Sequence, residues 1–199
     1  FDTSKVTAMD NMFNRANAFN NGQTPGGVGQ NPIAWNTSNV TTINSMFLTS
    51  GTYSFNQALP GWNLAKCTDY GSVFVAGAAT PFNNGAAAGQ TSVMNWTINT
   101  SQVASTITMY QMFQGAAAFN ADISGWDVSG VTNMGSMFFS ASSFNQNISG
   151  WNTQRVTNFS STFRNASAFN IDISSWNMTK ATTLANMFDG AASFNQNLA

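Results

Sequence analysis

Residues 126–150 read W-D-V-S-G-V-T-N-M-G-S-M-F-F-S-A-S-S-F-N-Q-N-I-S-G, and residues 151–175 read W-N-T-Q-R-V-T-N-F-S-S-T-F-R-N-A-S-A-F-N-I-D-I-S-S. A third copy opens at Trp176. A period of 25 residues is the mark of a solenoid, in which no coil buries its apolar face alone and each packs on its neighbours. In such an array, function belongs to surfaces and loops, since no compact pocket is guaranteed.

Working outward, the same unit runs through the whole chain. Trp35, Trp62, Trp96, Trp126, Trp151 and Trp176 fill one slot, with Phe1 standing in at the start. One phenylalanine column is Phe13, Phe47, Phe74, Phe113, Phe138, Phe163 and Phe188; a second is Phe19, Phe55, Phe82, Phe119, Phe144, Phe169 and Phe194. Asparagine follows each member of the second: Asn20, Asn56, Asn83, Asn120, Asn145, Asn170 and Asn195. Columns of large aromatics read as core. The asparagines read as a structural ladder, because a stacked amide satisfies its own turn and the backbone of the next coil. An exposed ligand-binding row is the competing reading of the same column.

Residues 1–199 therefore form a single array of about seven coils, read as a fragment of a longer one. Only 7% of residues are charged, the net charge is −1, and histidine and glutamate are missing. That excludes the basic footprint of a nucleic-acid binder, and no apolar run is long enough to span a membrane. General acid–base chemistry would fall to aspartate alone, and no Ser-His-Asp or Cys-His set can be built. The expectation is a protein that is not an enzyme and needs no cofactor. Cys67 occupies the slot that holds Val6, Val40, Val131 and Val156, and reads as a small core side chain.

Within one unit, Val131, Met134, Met137, Phe138 and Ala141 are spaced as a helical stripe, with Ser129 or Thr132 available as a cap. Ile148-Ser149-Gly150-Trp151 reads as a short extended piece stacked in parallel on Ile123–Trp126 and Ile173–Trp176. The expected fold is thus α/β, a right-handed leucine-rich-repeat-like solenoid; the alternative is an all-β parallel helix.

The pattern V-T-x-M-x-x-M-F-x-x-A-x-x-F-N-x-x-I-S-x-W resembles the BspA-type surface-protein repeat found in Mycoplasma-type lipoproteins, and is similar to the Treponema-type leucine-rich repeat. The resemblance covers essentially the whole chain. It implies an extracellular or cell-surface protein acting in adhesion or recognition, with a protein or glycan on a cell or matrix as partner. It carries over no site residues.

Departures from the period are where function is to be sought. Between the second phenylalanine and the next tryptophan the spacing roughly doubles after Phe19 and after Phe82, through Gly- and Gln-rich insertions. Both occupy the same slot and must project from the same edge. Gly22, Gln23, Thr24, Pro25 and Gln30 of the first, with Gly85, Gln90 and Thr91 of the second, are the candidate recognition residues. A third insertion, after Trp96, fits a lengthened strand or a loop. Two further readings stand beside these. Asp127 shares a column with Asn36, Asn63, Asn152 and Asn177, which fits either turns or oxygen ligands for calcium. Thr7, Thr41, Thr68, Thr132, Thr157 and Thr182 form a row suited to an ice- or glycan-binding face, or to capping. Low charge and open stacking also fit a self-assembling subunit of a fibre or surface layer.

Overall fold

The computed structural model describes residues 1–23, 31–51, 54–76, 81–88, 90–98, 100 and 106–198. Among them regular secondary structure is confined to two strands, β1 (Ile107–Thr108) and β2 (Val131–Asn133), paired in parallel with a register irregularity. Isolated parallel bridges extend this pairing through the chain. Ala8 bridges Thr42, Thr42 bridges Asp69, Asp69 bridges Thr108, Asn133 bridges Asn158, and Asn158 bridges Thr183. One ladder therefore joins the copies in sequence order.

The amides show how a chain with so little regular structure satisfies its backbone, which every buried segment must do. Four amides of copy five, each two residues after the last, donate to copy six. They are Met134 to Asn158 O (3.0 Å), Ser136 to Ser160 O (2.8 Å), Phe138 to Thr162 O (2.9 Å) and Ser140 to Arg164 O (2.8 Å). The amides between them close turns inside the copy: Met137 to Met134 O, Phe139 to Ser136 O and Ala141 to Phe138 O. The same alternation recurs from Met9, Ile43, Tyr70, Met109 and Phe159.

The helix expected over Val131–Ala141 is therefore not formed; linked turns replace it. A helix sends every amide to the carbonyl four residues back, and here every second amide leaves for the next copy. Ser136 and Ser140 also hold φ of 55° and 58°, a left-handed conformation that a right-handed helix cannot contain. Nor is Ile148–Trp151 extended: Trp151 N–H closes a turn onto Ile148 O, as Trp126 does onto Ile123 and Trp176 onto Ile173. The parallel ladder lies earlier in the unit, at the slot of Asn133. Ile107 and Thr108, at the end of the third insertion, form β1; residues 101–105 fall outside the described set.

Aromatic columns fill the space that the ladder encloses. Phe74, Phe113, Phe138 and Phe163 are fully or almost fully buried and stack at centroid separations of 5.5, 5.7 and 5.7 Å, with ring planes within 8°. Each also faces the second phenylalanine of its own copy at close range, 3.9 Å for Phe113–Phe119 and 4.0 Å for Phe138–Phe144. Tryptophan forms the third column: Trp62, Trp96 and Trp126 follow at 5.3 and 5.7 Å. The indole N–H of each of the five buried tryptophans, Trp62, Trp96, Trp126, Trp151 and Trp176, is used, as burial requires: Trp126 Nε1 donates to Met94 O (2.9 Å) and Trp176 Nε1 to Ile148 O (3.0 Å). No helix among the described residues is long and apolar enough to cross a membrane.

Candidate functional site

The repeated polar columns are engaged from copy to copy. In the asparagine ladder, each side-chain Oδ1 accepts the backbone N–H of the next ladder asparagine. The separations are 2.9 Å for Asn20 to Asn56, 2.8 Å for Asn56 to Asn83 and 2.8 Å for Asn83 to Asn120. They continue at 3.0 Å to Asn145, 2.9 Å to Asn170 and 2.9 Å to Asn195. Asn20, Asn56 and Asn83 are buried. The threonine row is spent in the same way: Oγ1 of Thr41, Thr157 and Thr182 donates to the carbonyl of Thr7, Thr132 and Thr157 respectively. The Asx column beside the tryptophans caps turns. Asn36, Asn63, Asp127, Asn152 and Asn177 each accept the N–H two residues on. Among the described residues no group of three or more His, Cys, Asp or Glu side chains is placed to hold a metal ion.

Cys67 lies in its valine-like slot, buried, with its thiol pushed up to about 12 by burial. At neutral pH it is a protonated core group, not a nucleophile. Tyr70 beside it is also raised by burial, and its hydroxyl donates to Leu64 O (2.9 Å).

The two long insertions start identically. Asn21 and Gly22 have φ of 48° and 81°, and Asn84 and Gly85 have 49° and 81°. Turns close from Gln23 N–H to Asn20 O (3.0 Å) and from Ala86 N–H to Asn83 O (3.1 Å). Two consecutive left-handed residues of sequence Asn-Gly make a type I′ turn. Side-chain amides then fasten each loop at its feet. Asn21 Nδ2 donates to Asn31 O (2.9 Å) while Asn31 Nδ2 donates back to Asn21 O (3.0 Å). Asn83 Nδ2 holds both Ala87 O (2.8 Å) and Gln90 O (2.7 Å), and Asn84 Nδ2 holds Val93 O (3.0 Å).

Asn56 and Gln57, from the copy between, tie the two feet together. Gln57 is fully buried. Its Nε2 donates to Asn20 Oδ1 (3.0 Å), and its Oε1 accepts the amide of Asn31 (3.0 Å). Asn56 Nδ2 donates to Ala86 O (2.9 Å), and its Oδ1 accepts the amide of Gly85 (3.1 Å). Of the candidate recognition residues, Gly22 and Gln23 lie in the first turn, Gly85 in the second, and Gln90 and Thr91 are exposed near the far foot of the second loop. Thr24, Pro25 and Gln30 fall outside the described residues. Sequence reasoning missed the clamps Asn31, Gln57 and Asn84. The Asn-Gly pairs at both loop starts were the available signal.

A family model described as "Mycoplasma protein of unknown function, DUF285" matches residues 1–96 and again residues 80–199. No curated protein and no solved structure matches the chain.

Proposed function

The chain belongs to that Mycoplasma-associated family, whose function is unknown, and we propose that it is a non-enzymatic cell-surface protein that adheres to or recognises a partner. Its architecture is a solenoid built of turns and single parallel bridges, nearer to the parallel-helix alternative than to a helix-bearing coil. The finer likeness to BspA-type and leucine-rich repeats belongs to the same proposal, as does an extracellular location. The ladder asparagines and the threonine row are bound from one copy to the next, whereas the inserted loops depart from that repeat.

The observation that carries the reading is the shared clamp. Two inserted loops start with the same Asn-Gly turn and are fastened at their feet through buried Asn56 and Gln57. Feet fastened on a packed frame fix where a loop can meet a partner, and binding residues are commonly carried by loops placed in this way. The partner is a protein or a glycan on a cell or matrix surface.

The test compares the fluorescently labelled chain with a variant that lacks residues 24–30 and carries Gln90→Ala and Thr91→Ala, changes that keep the clamp partners of Asn56 and Asn83, on cultured animal cells, by flow cytometry. Cell labelling by the intact chain, lost in the variant while its circular dichroism is unchanged, is the expected result. Equal labelling by both proteins, or none by either, overturns the reading.

A further inference from the structure

A different stretch of the same edge carries its own chemistry. Where copies three and four end, a groove of about 350 Å³ is lined by Val93, Asn95, Asp122 and Ser124 among others. Two copies further on, a groove of about 520 Å³ is lined by Asn147, Asn170, Ile171, Asp172 and Ser174 among others. The two share one carboxylate, at least one asparagine amide, serine, and an aliphatic side chain that is 65% exposed in the case of Val93.

The hydrogen bonds already made decide what remains for a ligand. Asn95 Oδ1 accepts Gly61 N–H (3.1 Å), Asn147 Oδ1 accepts the amide and hydroxyl of Ser149 (3.1 and 2.8 Å), and Asn170 Oδ1 accepts from Asn195 and Gln196 (2.9 and 2.9 Å). In Asn147 and Asn170 both lone pairs of the amide oxygen are taken and in Asn95 one is, so the Nδ2 hydrogens are the main groups these amides offer a ligand. Asp122 and Asp172 each accept the amide of the serine two residues on (2.9 and 2.8 Å). A carboxylate offers about four acceptor sites, so each retains capacity. Each groove thus presents donors and a strong acceptor side by side with an apolar patch. A sugar hydroxyl both donates and accepts, and the C–H face of the ring suits Val93 or Ile171. An anionic polymer would meet Asp122 and Asp172; an ammonium would leave the asparagine donors idle.

We propose that this edge binds a neutral, hydroxyl-rich polysaccharide, one segment in each groove, with Asp122 and Asp172 accepting from adjacent hydroxyls. Two grooves on one chain of ligand raise the apparent affinity above that of either alone. The Asp172 groove shares no lining residue with the inserted loops, whereas the Asp122 groove adjoins the far foot of the second loop through Val93, whose carbonyl Asn84 holds.

Affinity electrophoresis of the whole chain in gels carrying mannan, dextran, soluble starch or heparin tests it. Retardation in at least one neutral gel is expected, and none in heparin. Asp122→Ala and Asp172→Ala should each weaken it about tenfold, the scale of one charge-assisted hydrogen bond, and together more strongly. Asp172→Asn, which keeps the turn as Asn147 does in its own copy, should fall between. The loop variant of the cell test, which keeps every residue that lines the two grooves, should still be retarded, which separates this site from the loop reading. Free migration in all three neutral gels, retardation by heparin alone, or retardation indifferent to both aspartates overturns the proposal.

Discussion

Asn83 shows at the scale of one residue why the ladder asparagines are not interchangeable. It is fully buried, with its oxygen on Asn120 N–H and both amide hydrogens on the carbonyls of Ala87 and Gln90. Removing one partner of a buried hydrogen bond costs on the order of 1–3 kcal/mol for the group left unpaired. Asn83→Ala should therefore lower stability by about 1–3 kcal/mol in urea unfolding, since its partners on Asn120, Ala87 and Gln90 are only partly shielded from water. Asn83→Asp keeps the acceptor but turns a carboxylate toward two carbonyls, so it should be no better than alanine. Asn170 is exposed, and the alanine change there should cost under about 1 kcal/mol because water replaces the lost partners. Equal losses at the two positions would contradict this account. Cys67 supplies a second check. Its thiol, raised to about 12 by burial, stays protonated through neutral pH, so Ellman's reagent at pH 8 should react only after denaturant is added.

At the scale of the element, the turn series from Met134 to Ala141 explains what a sequence does and does not reveal. Inward residues spaced three and four apart signal a helix when every amide bonds inside the segment. A run of three-residue turns places Met134, Met137, Phe138 and Ala141 on the same side with the same spacing, so periodicity alone does not separate the two. The discriminating information lies in the polar positions. Gly135, Ser136 and Ser140 are poor helix formers, and the slot of Ser136 holds Asn11, Ser45, Ser72, Gln111, Ser161 and Asn186, all at positive φ. Small and polar residues tolerate that conformation, whereas a β-branched residue is a true outlier there. Ser136→Val should therefore lower the melting temperature by several degrees, roughly 1–2 kcal/mol, while Ser136→Gly should be close to neutral. A valine variant as stable as the glycine variant would mean that Ser136 is not left-handed. The loop clamps were hidden for a related reason. Asn31 and Gln57 act through partners 10 and 26 residues away, a distance that the spacing of a single unit does not encode.

For the whole molecule, stability is shared along the stack, because each copy gains its hydrogen bonds and ring contacts from its neighbours. That much was legible in the columns: a residue type present in every unit is one that stacking uses on both sides. Phe138 has such a place. It lies between Phe113 and Phe163 at 5.7 Å on each side, faces Phe144 at 4.0 Å, and is fully buried. Phe188 stacks on Phe163 at 5.7 Å and on Phe194 at 4.0 Å but is only partly buried. Replacing a buried phenylalanine with alanine costs about 3–5 kcal/mol through lost transfer energy and the cavity left behind. Phe138→Ala should fall in that range, and it should divide the cooperative urea transition, since copies one to four and six to seven then share a weakened junction. Phe188→Ala should cost less than half as much and leave one transition of unchanged slope. Hydrogen exchange resolves the two cases: in Phe138→Ala, protection should fall first at the amides of Gln111, Ser136 and Ser161, on both sides of the cavity. Protection lost evenly along the chain would show a core that unfolds as one block, without nearest-neighbour coupling.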